Sequence, residues 1–274
     1  MRAVECLAAG ILRTMAVVAV GIFAWIIGYI VFEAWGAFSM DWMTPGGVLW
    51  SPMVGTVLLV ITAVALALPV GVATGIYLRV YATVRVRNIF GFLFELLASI
   101  PSILMGLFGF ALVLMLHQWC AGFLPSWGLA AGSVAMLILP YLIKAVELGI
   151  IEAPSDHVAL AYTMGATREQ VLWHIQFPAA RTHLFKGILL AVGRAAEDTA
   201  VILLTGVVAS YGIPGSLWEP FEALPFYIYT TTAEYGSQGE LGTVFVAAAL
   251  LVGLGGIFVF LAGTVDARIS GEAL

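Results

Sequence analysis

Long apolar runs dominate the chain, and short polar segments separate them. A helix needs about 20 mostly apolar residues to cross a hydrocarbon core about 30 Å thick. We predict six membrane-spanning helices, at about 14–33, 54–78, 89–116, 127–146, 186–208 and 242–264. The first run is longer than the apolar part of a secretory signal, and no small-x-small cleavage site follows it before Trp35. We therefore expect it to be retained as a spanning helix.

The composition supports a polytopic membrane protein. The 274 residues are 62% hydrophobic and 10% charged, whereas soluble domains carry about 25% charged residues. A single helix bundle accounts for this length, so we predict an all-α fold. Its expected parts are residues 1–50 with the first helix and an outer loop, a transmembrane domain over 51–267, and a short tail over 268–274. The net charge of −5 argues against a nucleic-acid partner.

The basic residues predict the orientation. Ten of the eleven Lys and Arg residues lie before the first span, between the second and third, around the segment between the fourth and fifth, or after the sixth. The alternate connections, about 34–53, 117–126 and 209–241, contain none. The positive-inside rule then places both termini in the cytoplasm. Cys6 and Cys120 would lie on opposite sides of the membrane, so we expect no disulfide between them.

The third predicted span contains a proline. Pro101 lies near its centre, and Gly106 and Gly109 follow one and two turns later. Because proline removes a helical hydrogen bond, we expect a kink or a break there. Two interpretations remain open, a packing kink and a broken helix beside a transport pathway.

The connection at about 152–180 is too long for a simple turn, so we expect it to be folded. The sequence P-S-D at 154–156 predicts the start of one short helix, and Gly165 its end. A capping box at 167–170 predicts a second helix, which we expect to stop at Pro178. Such an exposed, semi-apolar helix suits a groove in a partner protein. The alternative is a helix on the membrane surface, which the small number of basic residues disfavours.

Three charged residues interrupt the fifth predicted span: Arg194, Glu197 and Asp198. An Arg at the centre of a membrane helix costs roughly 2.5–3.5 kcal/mol, and Arg194 lies about 12 Å beyond Lys186 at the inner end. Both acids can reach Arg194, since they follow it by three and four residues. The group is either a structural ion pair or a site where the guanidinium binds a tetrahedral oxyanion.

Specific stretches resemble a known family. The loop "ALAYTMGATREQVLWHIQFP" resembles the coupling motif of ABC importer permeases, E-A-A, three residues, G, nine residues, I-x-L-P. It departs from that motif at Ala159, where the family has Glu, and at Phe177, where it has Leu. The resemblance assigns to the ATPase-coupling loop Ala159, Ala161, Gly165, Ala166, Ile175 and Pro178.

Three further stretches are similar to PstA-type phosphate importer permeases: "SIPSILMGLFG" at 99–109, "GRAAEDTA" at 193–200 and "EALPFYIY" at 222–229. Asp198 stands where that family has Glu, and Glu197 where it has Gly. The resemblance implies the type I ABC permease fold and a non-enzymatic subunit that carries inorganic phosphate across the cytoplasmic membrane. The substrate-pathway residues that it suggests are Arg194, Asp198, Glu197, Thr199, Pro101 and Ser102.

The resemblance also implies partners: a homologous PstC-like permease, a PstB-like pair of ATP-binding subunits and an extracytoplasmic PstS-like phosphate-binding protein. The chain has no G-x-x-x-x-G-K-[ST] loop, so we expect ATP and Mg to be bound by the partner, and no cofactor or metal by this chain. The acidic segment Tyr211–Leu241 is the expected contact for the binding protein, although it could be merely solvated. We also hypothesise that the homologous permease supplies a second Arg, because two acids outnumber Arg194.

Other functions remain possible at this stage. The residues at 197 and 198 allow a different oxyanion, such as sulfate, molybdate or tungstate. A non-transporting phosphate-sensing subunit is a further alternative. An intramembrane enzyme is disfavoured, because the sequence contains no H-E-x-x-H or G-x-S-x-G pattern and no catalytic residues are predicted.

Overall fold

The computed structural model describes residues 2–119, 124–210, 212–234 and 236–272, and most of them are helical. The longest connection, 206–223, has no helix among its described residues and contains an isolated β-bridge between Val207 and Phe221. The predicted all-α class is confirmed. Cys120, on which one prediction rests, lies outside the described residues. The α-helices are α1 Arg2–Ala37, α2 Trp50–Ile76, α3 Val84–Ser99, α4 Ser102–Trp119, α5 Trp127–Ile151, α6 Ser155–Thr163, α7 Arg168–Val171, α8 Phe177–Glu197, α9 Thr199–Thr205, α10 Leu224–Glu234 and α11 Gln238–Glu272.

Five of the described helical segments are long and apolar enough to span a membrane: Gly10–Ala37, Trp50–Tyr81, Ser102–Trp119, Trp127–Ile151 and Gly239–Phe258. They correspond to the first, second, fourth and sixth predicted spans and to the second half of the third. The number of six spans and the orientation of the termini stay predictions.

Two predicted spans are not single helices. The third breaks at Ile100, which is extended (φ −67°, ψ 129°), so that α3 and α4 are separate. Pro101 explains this break, because the residue before a proline disfavours helical geometry. The fifth breaks at Asp198, which is also extended (φ −78°, ψ 104°). Its carboxylate accepts a hydrogen bond from the amide of Val201 and thereby starts a new helix, α9.

Helix α5 lies at the centre of the bundle, between α2 and α8. Helix α2 approaches it through two glycines one turn apart. A Cβ atom at Gly71 would lie 2.8 Å from Leu142 Cβ, and one at Gly75 would lie 2.8 Å from Val146 Cβ. Small residues let two helix backbones pack closely in a membrane, where no hydrophobic force drives helices together. Helix α1 packs against α11 at the edge of the bundle.

The connection between α5 and α8 has the predicted first helix and the predicted capping box. Gly165 follows α6 with a positive φ of 84°, which suits a residue without a Cβ atom. The Gln170 amide donates to Thr167 Oγ1 (3.3 Å), and the Thr167 amide donates to Gln170 Oε1 (2.8 Å).

The prediction that Pro178 stops the second short helix is wrong. The chain passes from α7 through a π turn at Leu172–Gln176 directly into α8, and Pro178 lies in the first turn of α8. The amide of Phe177 bonds to the carbonyl of Leu172, five residues back. After this π turn a new α-helical segment begins, and Pro178 is tolerated there because the first turn of a helix does not need its N–H.

Candidate functional site

Asp198 lies at the break between α8 and α9 and uses its two carboxylate oxygens for different purposes. Oδ1 accepts the hydrogen bond from the Val201 amide at 3.0 Å. Oδ2 lies 3.3 Å from Nη2 of Arg194, four residues earlier on α8. The Asp198 side chain is only 2% exposed, whereas that of Arg194 is 43% exposed. The predicted pairing of these two residues is therefore present, with the acid buried and the base open to the surface of the chain.

Glu197 does not join this ion pair. Its Oε1 atom lies against Gly255 of α11, and it forms no ion pair with another residue in the described part of the chain. Glu197 is the last residue of α8 and Asp198 is extended, so the helix ends between the two acids and their side chains leave the backbone in different directions. The sequence pattern showed that both acids could reach Arg194, but it could not show that α11 offers a glycine to Glu197.

Helices α4 and α9 bring the two family-like stretches together. A Cβ atom at Gly106 would lie 2.7 Å from the carbonyl oxygen of Ala200, and Gly109 lies against Thr205. Contacts therefore advance in the same direction along both helices, so α4 and α9 are parallel. Ser102, one turn before Gly106, consequently lies near the level of Asp198.

The breaks that precede α4 and α9 thus lie at the same end of this helix pair. Discontinuous helices of this kind line substrate sites in several transporter folds. Pro101 is exposed, and Ser102 and Thr199 are half-buried. No hydrogen bond joins Pro101, Ser102 or Thr199 to Arg194 within the described residues. The structure places these predicted pathway residues at one level without direct polar contact to Arg194.

The coupling-loop residues lie at a separate surface. Ala159 and Gly165 are exposed, and Ala161, Ala166, Ile175 and Pro178 are half-buried. On the same short helix and its end, Leu160, Tyr162 and Met164 are exposed, Met164 at 80%. An exposed apolar group of this kind on a short helix fits the predicted docking of the loop into a partner.

The predicted outer segment is folded onto the bundle rather than extended. The amides of Trp127 and Gly128 donate to the carbonyls of Glu219 (2.8 Å) and Leu217 (2.7 Å). Glu222 is 7% exposed, and burial raises the pKa of its carboxyl above the ordinary value of 4.5, an effect that a hydrogen bond from the Ser210 amide opposes. Tyr211, the first residue of this segment, lies outside the described residues.

Comparisons with known proteins agree with the fold and the family. Residues 67–271 match the family described as "Binding-protein-dependent transport system inner membrane component". The chain is 30% identical over 161 residues to the phosphate transport system permease protein PstA homolog of Mycoplasma pneumoniae, covering 58% of this chain and 25% of that protein. The chain thus spans about a quarter of that relative.

A second relative is covered more fully. The chain is 28% identical over 226 residues to the phosphate transport system permease protein PstA of Haemophilus influenzae, covering 79% of this chain and 78% of that protein. A crystal structure of a bacterial alginate ABC transporter, in complex with a periplasmic protein bound to alginate pentasaccharide, contains a chain with the same fold. The TM-score is 0.67 at 15% identity, covering 96% of this chain and 94% of that chain.

The matched region covers most of the chain and includes both helix breaks and the coupling loop. The chain belongs to the binding-protein-dependent transport system inner membrane components, as a multi-pass inner-membrane permease of an ABC importer that is similar to PstA proteins.

Proposed function

We propose that this permease carries inorganic phosphate and that Arg194 binds the anion during its passage. The observation that supports this most strongly is the Arg194–Asp198 pair, which leaves a partly exposed guanidinium beside the break between α8 and α9. A guanidinium has five N–H donors in a planar fork that fits the oxygens of phosphate. Nη2 lies 3.3 Å from Asp198 Oδ2, and 43% of the Arg194 side chain is exposed, so donors remain for a ligand.

Asp198 competes with the anion for the guanidinium of Arg194. Its Oδ1 atom is fixed by the amide of Val201, so the carboxylate stays beside Arg194 when no anion is present. An arriving anion must share the guanidinium with this charge, which weakens binding and favours release.

The same carboxylate favours phosphate over sulfate. A carboxylate only accepts hydrogen bonds, and hydrogen phosphate carries an O–H that can donate one, whereas sulfate is fully ionised near neutral pH. Asp198 can therefore accept a hydrogen bond from hydrogen phosphate, which offsets part of the charge repulsion, whereas it only repels sulfate. This argument supports phosphate over the alternative oxyanions.

The remaining components are proposed from the family resemblance. The charges of Arg194 and Asp198 cancel, so the pair alone offers no net positive charge to an anion. We therefore infer that a PstC-like permease supplies a further cation to the same site. We also infer that a PstB-like pair of subunits hydrolyses ATP and docks against the exposed apolar residues Leu160 and Met164. A PstS-like binding protein would deliver phosphate to the outer face, where Ile213, Leu217 and Trp218 are exposed.

Uptake of labelled phosphate by the assembled complex tests this proposal. The variant Arg194→Ala is expected to lose uptake while the complex still assembles, and Arg181→Ala serves as a matched control outside the site. Arg181 donates to the carbonyl of Pro178 at the start of α8 and is far along the helix from Arg194. If Arg194→Ala prevents assembly, the pair is structural and the proposal fails.

A further inference from the structure

A basic groove lies between the coupling loop and residues 77–87, which join α2 to the first turn of α3 and are called the elbow below. It is open, with a volume of about 650 Å³. Three arginines line it: Arg79 and Arg87 from the elbow, and Arg168 from the start of α7. Ser155 and Gln176 add further polar groups, and none of the lining residues is acidic.

One of these arginines is held in place by the backbone. Arg87 donates from Nε to the carbonyl of Leu78 (3.0 Å) and from Nη2 to the carbonyl of Arg79 (3.4 Å). These bonds fix the guanidinium at the elbow and leave its positive charge without a carboxylate partner in the described part of the chain. The groove therefore has one wall with a preorganised cation.

The other two arginines have no anionic partner either. Arg79 and Arg168 form no ion pair or side-chain hydrogen bond with any described residue. Glu152, at the end of α5, lies 2.8 Å from His183 Nε2, and Asp156 accepts a bond from Ser155 without lining the groove itself. Three cations that share one groove repel one another, and a bound anion would remove this repulsion.

Ala159 contributes to the absence of acidic residues from the groove lining. It lines the groove at the position where the resembling motif has Glu. With alanine there, this chain supplies no negative charge at that position of the groove wall.

We propose that this groove is a second anion site, which binds a phosphate group on the face predicted to be cytoplasmic. Arginine forks bind phosphate oxygens through charge-assisted hydrogen bonds. The group could come from inorganic phosphate, whose oxygens a guanidinium fork fits, or from the headgroup of an anionic lipid, because basic pockets on the cytoplasmic side of membrane proteins bind such headgroups. A phosphate held between Arg79 and Arg168 would link the α2–α3 elbow to the coupling loop.

The test uses the full chain in phosphatidylcholine nanodiscs, with Arg194→Ala as the background so that the proposed transport site does not contribute. The groove variant is Arg79→Gln with Arg168→Gln. The control variant is Arg85→Gln with Arg181→Gln, which removes the same charge from arginines that do not line the groove. One arm measures binding of labelled inorganic phosphate, and the other measures retention of phosphatidylglycerol by native mass spectrometry.

The groove variant is expected to bind the phosphate group at least tenfold more weakly than the control variant in one of the two arms. A difference in the first arm identifies inorganic phosphate as the source, and a difference in the second identifies the lipid. Equal binding by both variants in both arms overturns the proposal. Because Arg194 is absent throughout, these outcomes are independent of the proposed transport function.

Discussion

Replacing Asp198 by Asn separates the two roles of this residue. Asparagine can still accept the Val201 amide and cap α9, but it has no charge with which to hold Arg194. Alanine removes both. Loss of a helix cap costs about 0.5–2 kcal/mol, so Asp198→Ala should lower the free energy of unfolding by about 1 kcal/mol more than Asp198→Asn. Thermal unfolding of the purified chain in nanodiscs measures this difference.

The Asp198→Asn variant also isolates the effect of the Asp198 charge on anion binding. Because Arg194 is 43% exposed, its ion pair is worth about 1 kcal/mol at most. Removing the competing charge should therefore strengthen anion binding by up to about fivefold. The gain should be larger for sulfate than for phosphate, since asparagine no longer repels a fully ionised anion. Inhibition of labelled phosphate uptake by sulfate measures it in the assembled complex. If Asp198→Asn leaves sulfate as poor an inhibitor as before, the competitor role of Asp198 is refuted.

Three further predictions concern the surroundings of the site. Gly106→Val should push α4 away from α9 and reduce phosphate uptake, whereas the same change at Gly253, where a Cβ atom meets nothing within 4 Å, should leave uptake unchanged. Because burial raises the folded-state pKa of Glu222, its protonated form favours folding below pH 4.5, and this contribution is lost as the pH rises through the raised pKa. Glu222→Gln should therefore flatten the pH dependence of the unfolding midpoint above pH 4.5; an unchanged profile would contradict this. Met164→Asp, on the exposed coupling surface, should weaken co-purification with the ATPase subunits, and Met40→Asp, which is exposed in the predicted outer connection at 34–53, should not.

Hydrophobic patterning predicted the helices that cross the bundle in one piece. The window at 127–146 lies within α5, and that at 54–78 matches α2 to within two residues at its end, because a run of apolar residues is a local property of the sequence. The break at Pro101 was also foreseen, since proline has a local effect on the backbone. The capping box at 167–170 was found for the same reason.

The break at Asp198 was missed, although a signal was present. An Asp directly before the apolar run T-A-V-I-L-L is a helix-start pattern. It was missed because the hydropathy of the whole window 186–208 is high enough for one continuous span. The contact between Glu197 and Gly255 and the packing of Gly106 on Ala200 join residues that are far apart in the chain. No local pattern encodes such contacts, so only the folded structure could show them.

The most direct test of the role of Arg194 is chemical replacement of its charge. In a complex whose Cys6 and Cys120 are changed to Ser, Arg194→Cys is expected to be inactive in phosphate uptake. Modification with aminoethyl methanethiosulfonate attaches a cation at this position and should restore part of the uptake, whereas the neutral methyl reagent should not. Phosphate should also slow the modification, because it binds where the reagent must enter. Equal restoration by the neutral reagent, or a modification rate that phosphate does not change, would contradict the assignment of Arg194 as the anion-binding residue.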